Sequence, residues 1–570
     1  MSAANDPLRC GQFDYGDFAA ACPPVVRVHH ETVVTMDPTR QRLVLVGAAF
    51  LIAFILLAGR LLQIVAFERG ADQSAADTLP ASAPIRAELV DRNGQMLVTN
   101  LEVASLYANP REIWDVEETV SKLARIFPAL EVTHLRARLS GERQFEWIER
   151  DLSPRDRDAV YALGLPGLHF MGEPRRFYVQ GRTLAHVLGF VDPDNNGLAG
   201  IERKLNDRLA SGRETTVALS IDLGVQHALR DELAASMKRF SAIGAAGIVM
   251  DANSGEVLGL VSLPDFDPGA PGKADPDALF NRATLGVFEM GSTFKILTTA
   301  FALDSGKVTL RSGYDASKPI RAGGFTISDY HSENRWLSVP EIFVHSSNIG
   351  SAKMVLDVGV DAHRAFLKKL DLFDRPGLEV AEVGAPLVPS PWREITSMTV
   401  AFGHGMAVSP VNLVKAVAAV VNGGHLVEPT LLKYAPGEAV PSRDVISAKT
   451  SEQVRTLMRE VVTAKEGTGK QANVPGYSVG GKTGTAEKVV NGQYKKNALM
   501  SSFVAIFPST APRYVVYVVL DEPKGIEATY GFATAGWTAA PTAAHVITRI
   551  APILRVAPVD KPDAPTLAAK

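Results

Sequence analysis

The stretch PGYSVGGKTGTAEK, Pro475–Lys488, decides between two folds. Read from Gly476, it satisfies the pattern G-x-x-x-x-G-K-[ST], in which a glycine-rich loop cradles a phosphate and the lysine contacts it. Read from Lys482, it is K-T-G, a motif that places a lysine near a peptide carboxylate in acyl-transfer sites. The two interpretations give Lys482 different chemistry, so the rest of the chain must separate them.

The neighbouring sequence disfavours the phosphate loop. Such a loop must follow a buried strand and open a helix, so that the helix N-terminus faces the anion. The preceding KEGTGKQANVPG is not strand-like, and the following GTAEKVVNGQYKKNALMSSFVAIF contains Asn491-Gly492 between two β-rich runs. That dipeptide predicts a hairpin turn where a phosphate loop needs a helix. The sequence therefore places Lys482 on an edge strand of an active site.

Length and charge limit the classes of protein that fit. The chain has 570 residues, 46% of them hydrophobic, which predicts two or three domains. The formal net charge of −3 offers no basic field for a nucleic-acid partner. His331, His345 and His404 are isolated and lack the spacing of metal ligands. Neither a metal nor another cofactor is expected.

Residues 43–67 form a long, largely apolar run in which Arg60 is the only charged residue. A helix of this length spans a bilayer, so we expect a single membrane anchor. The alternative is a cleaved secretory signal, for which Ala81–Pro84 offers a cleavage-like sequence, but the run is long and far from that site. Both cysteines, Cys10 and Cys22, precede the run, which is typical of a cytoplasmic tail followed by a body in an oxidising compartment.

Turn signals divide the remaining chain. Asn93-Gly94 lies between two strand-like runs and predicts a hairpin, and the turn at Asp251–Gly255 predicts an antiparallel pair. The segments predicted from these signals are a cytoplasmic tail (1–42), the anchor (43–67), a spacer domain (68–213), a catalytic domain (214–552) and a disordered Pro/Ala-rich tail (553–570).

The stretch EMGSTFKILTTAFALDSG contains Ser292 and Lys295 in an S-x-x-K pattern, at the start of a predicted buried helix that Gly306 ends. Three residues apart, their side chains share one helix face. A lysine can take the proton of a serine only if its pKa falls well below about 10.4, and burial and a second cation would both lower it. By itself the pattern is also typical of a serine cap followed by a lysine.

Two further motifs follow in the chain. FVHSSNIGSAK contains the S-x-N triplet Ser346-Ser347-Asn348, which alone reads as a turn or a helix start. Lys482-Thr483-Gly484-Thr485 alone reads as a glycine-rich turn. The three motifs in this order indicate one acyl-transfer site.

With these motifs in place, the chain resembles class B penicillin-binding proteins, which are membrane-anchored peptidoglycan transpeptidases. RAELVDRNGQML and GLAGIERKLND resemble the family's pedestal, and SIDLGVQ, LPDFDP, FGHGMAVSPVNLVKAVAAVVNGG and SSFVAIFPSTAPRYVVYVVLDEP resemble its transpeptidase domain. The resemblance implies an α+β protein with a single transmembrane helix, a mixed α/β pedestal (dimerisation-like) domain at 68–213, and a transpeptidase domain with an antiparallel five-stranded sheet flanked by helices.

The resemblance also implies roles for the first two motifs. Ser292 would attack the carbonyl between the two terminal D-alanines of a peptidoglycan stem peptide and form an acyl-enzyme. Lys295 would take the serine proton. Ser346 would relay a proton to the leaving amine, and Asn348 would donate hydrogen bonds to the substrate chain.

The third motif would bind the end of the substrate. Lys482 adds positive charge, and the hydroxyls of Thr483 and Thr485, on either side of Gly484, would meet the terminal carboxylate. The oxyanion would lie between the backbone N–H groups of Ser292 and Thr485. A second stem-peptide amine would then attack the acyl-enzyme and form the cross-link.

Within the family, the resemblance favours the septal FtsI type over the elongation type. It implies a single-pass protein of the inner membrane with its catalytic domain in the periplasm. It also implies β-lactam antibiotics as ligands and an FtsW-like glycosyltransferase and other divisome proteins as partners. His404 departs from the family, because an aromatic residue is commoner between Gly403 and Gly405.

Two other functions stay open at this point. One is a hydrolase on the same fold, either a carboxypeptidase or a β-lactamase, in which water replaces the amine acceptor. The other is a sensor or scaffold that binds β-lactams or wall peptides without turnover. Deacylation depends on where one water molecule is held, and the sequence does not specify that position.

Overall fold

The computed structural model describes residues 48–60, 86–490 and 493–559. Residues 48–60 form a helix, α1, with largely exposed apolar side chains. The other residues of the predicted anchor, 43–47 and 61–67, lie outside the described residues, as do the predicted tail 1–42 and the turn Asn491-Gly492. Across these three ranges, no helix combines the length and hydropathy that crossing a membrane requires.

A mixed five-stranded sheet organises the first part of the body. Its strands are β1 (Glu88–Val90), β2 (Met96–Ala108), β3 (Glu146–Leu152), β4 (Leu168–Tyr178) and β5 (Thr216–Ala218). The predicted hairpin is confirmed, because β1 and β2 are antiparallel and Gly94 in their turn has a φ of +84°. Only the β1–β5 pair is parallel among the pairings of this sheet.

Short helices accompany this sheet, and the first three of them share a buried cluster with it. They are α2 (Val116–Ile126), α3 (Val132–Leu139), α4 (Pro154–Tyr161), α5 (Ala185–Leu188), α6 (Gly200–Lys204) and α7 (Asn206–Ala210). Helix α2 begins where the Asp115 side chain accepts a hydrogen bond from Glu118 N. Leu106 of β2 and Leu123 of α2 belong to the same buried cluster, so this part of the protein has its own small core.

Most of the remaining strands are short. They are β6 (Gly244–Asp251), β7 (Val257–Leu263), β8 (Gly313–Asp315), β9 (Ile320–Ala322), β10 (Phe325–Ile327), β11 (Trp336–Ser338), β12 (His425–Val427), β13 (Ser442–Asp444), β14 (Gly480–Val490), β15 (Gln493–Phe507) and β16 (Tyr514–Asp521). Five of them form an antiparallel sheet in the order β14-β15-β16-β6-β7.

Helices cover both faces of this second sheet. They are α8 (Leu223–Arg239), α9 (Pro276–Leu279), α10 (Lys295–Asp304), α11 (Val339–Val344), α12 (Asn348–Val358), α13 (Val360–Lys369), α14 (Glu394–Val400), α15 (Pro410–Val421), α16 (Ala448–Thr463) and α17 (Ala539–Ile553). Short 3₁₀ helices occupy Pro110–Glu112, Gly181–Leu184, Pro271–Lys273, Gly291–Phe294, Lys470–Ala472 and Glu527–Thr529.

The central strand β16 explains why helices are needed on both sides. Its sequence YVVYVVLD is apolar at nearly every position, and all of its residues are buried. Val516 shares a buried cluster with Ile547 of α17, whereas Tyr517 points to the cluster that contains Val417 of α15. Alternate residues of β16 therefore pack into two different hydrophobic cores.

Strand β5 joins the two parts of the body without a free linker. It pairs with β1, and two residues later Ser220 N donates to the Leu431 carbonyl at 2.8 Å. The Asp91 carboxylate in the β1–β2 turn accepts from Leu223 N, the first residue of α8, at 3.2 Å. The pedestal sheet is therefore hydrogen-bonded directly to the start of the catalytic region.

The position of Lys482 settles the opening ambiguity. The segment that matches the phosphate-loop pattern runs into strand β14 from Gly480 onward and opens no helix, so the nucleotide interpretation is wrong. Strand β14 is an edge of the sheet, as predicted. The other end of the chain also differs from expectation, because α17 continues to Ile553 and Val559 N donates to the Gly476 carbonyl at 2.8 Å. Hydrogen bonding thus extends the ordered fold past the predicted start of the disordered tail.

His363 in α13 is a polar residue enclosed by the core. It is 0% exposed, and neither ring nitrogen has a hydrogen-bond partner among the described residues. Its ring centroid lies 5.2 Å from that of Phe301 and 6.1 Å from that of Trp392. Burial lowers the pKa of His363 from 6.5 to about 3, so the folded protein holds the ring neutral.

We expect His363→Leu to stabilise the fold, and more so in acid. Removing two unsatisfied buried polar atoms should raise the free energy of unfolding by about 1–3 kcal/mol at neutral pH. Because the unfolded chain binds a proton near pH 6.5 and the folded chain does not, the wild type loses a further ~2 kcal/mol by about pH 5, which the variant should keep. Thermal unfolding at both pH values measures this, with the exposed His134→Leu as control; equal pH dependence in wild type and variant would contradict it.

Candidate active site

Ser292 lies in the 3₁₀ turn Gly291–Phe294, which leads directly into α10. The sequence predicted an α-helix from Ser292, and the structure gives a tighter first turn. Gly291 has a φ of +54°, and a Cβ there would lie 2.9 Å from the Thr485 carbonyl oxygen. Gly291 N also donates to the Gly403 carbonyl at 3.1 Å. Glycine at 291 therefore lets three chain segments meet beside the serine.

Lys295 brings the first two motifs together. Its side chain is 1% exposed, and its Nζ donates to Ser292 Oγ at 3.1 Å. The same Nζ contacts the Ser346 carbonyl at 2.5 Å, Ser346 Oγ at 3.0 Å and Asn348 Oδ1 at 2.7 Å. The predicted closeness of the serine and the lysine is therefore present, and the S-x-N triplet surrounds the same amine.

The pKa of Lys295 is lowered well below 10.5, chiefly by burial and then by the charge of Lys482. These are the two causes that the sequence interpretation required. The Asp329 carboxylate opposes them and raises the pKa. A lysine in this environment can hold a neutral amine, which is the form that accepts a proton from a hydroxyl.

Ser346 occupies a left-handed conformation, with a φ of +61°. This turn directs its Oγ between two amines, since Lys482 Nζ donates to it at 2.9 Å while Lys295 contacts it from the other side. Ser347 then caps α12 by accepting from Gly350 N. The triplet thus combines a helix cap with a hydroxyl bridge between the lysines.

Lys482 reaches Ser346 from the edge strand β14. Its side chain is 0% exposed, and burial lowers its pKa from 10.5 to about 7. The amine also lies 5.9 Å from the centroid of the Phe343 ring. Near neutral pH the Lys482 amine therefore exchanges readily between charged and neutral forms.

The remaining residues of the third motif are placed around Lys482 as follows. Thr483 Oγ1 lies 2.9 Å from Thr468 Oγ1, and Thr485 Oγ1 accepts from Ala535 N at 3.1 Å, which leaves the Thr485 proton available to a ligand. A Cβ on Gly484 would lie 2.6 Å from Ser502 Oγ. The roles of Thr483, Gly484 and Thr485 toward a carboxylate remain predictions.

Asp329 is a site residue that the sequence interpretation missed. Its carboxylate accepts from Ser347 Oγ at 2.7 Å, from Asn348 N at 2.5 Å and from Ile349 N at 3.0 Å. It thereby holds the S-x-N triplet in position while it acts on the charge of Lys295. No spacing rule connects it to the triplet, so the only available signal was an acid in a polar segment shortly before the motif.

A second group missed from the sequence borders the nucleophile, and we name Glu289, His404 and Tyr494 the rim cluster. The Glu289 carboxylate accepts from Gly405 N at 2.7 Å and from Tyr494 Oη at 3.1 Å. The His404 ring centroid lies 5.9 Å from that of Tyr494. The sequence marked His404 only as unusual and gave it no role.

Comparisons with known proteins agree with this geometry. The family described as "Penicillin binding protein transpeptidase domain" matches residues 245–544, and "Penicillin-binding Protein dimerisation domain" matches residues 81–219. Together these two families account for both sheets of the body.

Named relatives match most of the chain. The "Probable peptidoglycan D,D-transpeptidase FtsI" of Caulobacter vibrioides is 42% identical, covering 83% of this chain and 82% of its own. The "Probable peptidoglycan D,D-transpeptidase PenA" of Neisseria meningitidis is 32% identical, covering 87% of this chain and 90% of its own.

A solved structure supports the fold independently. The penicillin-binding protein 3 of Mycobacterium tuberculosis, solved in complex with aztreonam, superposes with a TM-score of 0.66. It is 24% identical, and the match covers 84% of this chain and 98% of that one. The family matches, the relatives and this shared fold lead to one conclusion: the chain belongs to the penicillin-binding protein transpeptidase family.

Proposed function

We propose that this protein is a serine-type peptidoglycan D,D-transpeptidase that cross-links stem peptides through an acyl-serine intermediate. The observation that carries the proposal is the single buried amine of Lys295, in contact with both Ser292 Oγ and Ser346 Oγ. One base is thereby joined to a nucleophile and to a proton relay. The relatives named above are described as enzymes of this class.

The first half-reaction follows from these contacts. Neutral Lys295 takes the Ser292 proton as the oxygen attacks the carbonyl between two terminal D-alanines. Ser346 Oγ then delivers a proton to the nitrogen of the departing D-alanine. Charge on the carbonyl oxygen is stabilised by the N–H groups of Ser292 and Thr485, each worth roughly 2.7–4 kcal/mol in comparable sites.

Lys482 and Thr485 bind the end of the donor peptide. A terminal carboxylate beside Lys482 raises the pKa of that amine again and holds it charged. The free proton of Thr485 donates to the same carboxylate, with Thr483 and Gly484 shaping the strand, while Asn348 positions the donor chain. In the second half-reaction an amine of another stem peptide replaces the serine and forms the cross-link.

The cellular role belongs to the same proposal. The 42% identical relative is named FtsI, which supports action at the division septum. The apolar run 43–67 supports a single-pass anchor in the inner membrane, with the cysteine-free body in the periplasm. The expected partners are an FtsW-like glycosyltransferase and other divisome proteins, reached through the anchor and a pedestal at about 68–213, with the transpeptidase domain at about 214–552.

We expect Ser292→Ala to abolish covalent labelling by a fluorescent penicillin. The acyl bond forms on that oxygen, so the rate of labelling should fall by about 10⁴-fold or more. Ser305→Ala, at the C-terminal cap of α10, is the matched control and should label like the wild type. Persistent labelling of Ser292→Ala would place the nucleophile elsewhere.

The rate at which the label is released and the products formed from peptide substrates test the rest of the proposal. A stable penicillin adduct, together with cross-linked product from a donor peptide and an amine, supports the transpeptidase. Rapid loss of label with hydrolysed product would favour a hydrolase. A stable adduct without any peptide turnover would favour a silent scaffold.

The charges around Lys295 predict opposite effects of two variants on the pH dependence of acylation. Lys482→Gln removes a cation, so the pKa of Lys295 rises and the increase of rate with pH moves to higher pH. Asp329→Asn removes an anion but keeps an acceptor oxygen, so the pKa of Lys295 falls and the increase moves to lower pH.

Acylation rates between about pH 5 and pH 10 measure both shifts, since that range spans the usual and the lowered lysine pKa. Lys488→Gln is the matched control on the same strand, because Lys488 pairs with Asp521 and Glu522 outside the site. Shifts in the same direction for Lys482→Gln and Asp329→Asn would show that Lys295 is not the base.

A further inference from the structure

The rim cluster is not used in the steps described above, although it adjoins the nucleophile. Glu289 precedes Ser292 by three residues. The carbonyl of Gly403, the residue before His404, accepts a hydrogen bond from Gly291 N. A Cβ on Gly403 would lie 2.0 Å from the Gly291 carbonyl oxygen, so the two backbones are in direct contact. His404 is thereby fixed beside the turn that carries the serine.

The His404 ring has one nitrogen free for a ligand. Nδ1 is buried without a hydrogen-bond partner, whereas Nε2 is not among the buried atoms and has no hydrogen bond within the described residues. The Tyr494 hydroxyl donates to the Glu289 carboxylate and makes no hydrogen bond to this ring within the described residues. A ring nitrogen therefore remains accessible on the loop whose backbone is hydrogen-bonded to the serine turn.

Charged groups on several elements shift the pKa of His404. Burial is the main cause that lowers its pKa, and Lys295 lowers it further. The carboxylates of Glu289 and Glu487 and the Phe402 carbonyl act in the opposite direction. The free imidazole is thus neutral at neutral pH, while two carboxylates are in place to stabilise it once it is protonated.

The second half-reaction of the proposed function needs such a group. An acceptor amine arrives as an ammonium ion and must lose two protons to become an amide. One proton returns to Ser292 Oγ through Lys295, which had passed the serine proton by way of Ser346 to the first leaving amine. The other proton requires a second acceptor.

Neither lysine meets that need. Lys295 Nζ already lies against four oxygens and handles the serine proton. Lys482 Nζ is enclosed and already donates to Ser346 Oγ, the relay of the first half-reaction. The rim cluster offers a further ring nitrogen on the loop packed against the serine turn.

Resting on the proposed function, we propose that His404 Nε2 accepts the first proton of the acceptor ammonium ion and that Glu289 stabilises the imidazolium formed. The neutral amine then attacks the acyl carbonyl, the new C–N bond forms and the C–Oγ bond to Ser292 breaks. The second amine proton passes through Lys295 to Ser292 Oγ, and His404 releases its proton to water. That release balances the proton taken up when the departing D-alanine becomes an ammonium ion.

A competition between two acceptors tests this step. Wild type and His404→Gln are given a thioester analogue of the donor peptide with D-alanine, an ammonium ion at neutral pH, and hydroxylamine, which is mostly unprotonated. The ratio of D-alanine product to hydroxamate is measured after subtraction of the reaction without protein. We expect this ratio to fall about 100-fold in His404→Gln, at the lower end of general-base effects. A loss of folding or of acylation affects both products equally and leaves the ratio unchanged.

Two further variants test the role of the Glu289 charge and the effect of replacing another histidine near the site. Glu289→Gln keeps acceptor oxygen for Gly405 and Tyr494 but removes the charge, so its ratio should fall less than that of His404→Gln. His345→Gln is the matched control, because His345 lies next to Ser346 but its ring contacts Glu333 at 3.2 Å. An unchanged ratio in His404→Gln overturns the inference while hydroxamate still supports acyl transfer. Absence of both products in the wild type overturns the proposed function itself and the inference with it.

Discussion

The enclosed amine of Lys295 is the interaction on which the rest of the site depends. A lysine withdrawn from water must either find partners or give up its charge, because an unpaired buried ammonium ion is very costly. Here four oxygens from three residues surround Nζ, and within the described part of the chain no carboxylate touches it. The amine therefore stays close to neutrality while remaining hydrogen-bonded, which is the state that a serine nucleophile requires. The first two motifs meet at this one atom, and the third motif is linked to it through the Ser346 hydroxyl.

Backbone contact keeps that convergence rigid. Gly291, Gly403 and Gly484 each lie where a side chain would meet another segment at under 3 Å. The serine turn, the loop with His404 and the edge strand are consequently packed main chain against main chain, without flexible side chains between them. Catalytic geometry of this kind is set before any substrate arrives, which favours electrostatic stabilisation of the transition state.

Local sequence patterns were enough to predict much of this arrangement. The features that they missed depend on contacts between segments that are distant in the chain. Three-residue spacing was enough to bring Ser292 beside Lys295, and turn residues predicted the hairpin at Asn93-Gly94 and the edge position of Lys482. Asp329 was missed because it meets the S-x-N triplet only through the fold. His363 has the sequence context of an ordinary helix residue, and nothing local reveals that aromatic rings enclose it. The 3₁₀ turn at Ser292 reflects the close approach of Thr485, which helix propensity does not encode.

The short connection from β5 to the catalytic region has a mechanical consequence. Because Thr216–Ala218 completes the pedestal sheet and Ser220 is bonded to the catalytic region two residues later, there is no slack chain between the two. Asp91 in the β1–β2 turn also holds the first residue of α8, and α8 packs on the sheet that ends at Lys482. We therefore expect a tilt of the pedestal hairpin to reach the catalytic sheet as strain, because hydrogen bonds and not a flexible hinge connect the two.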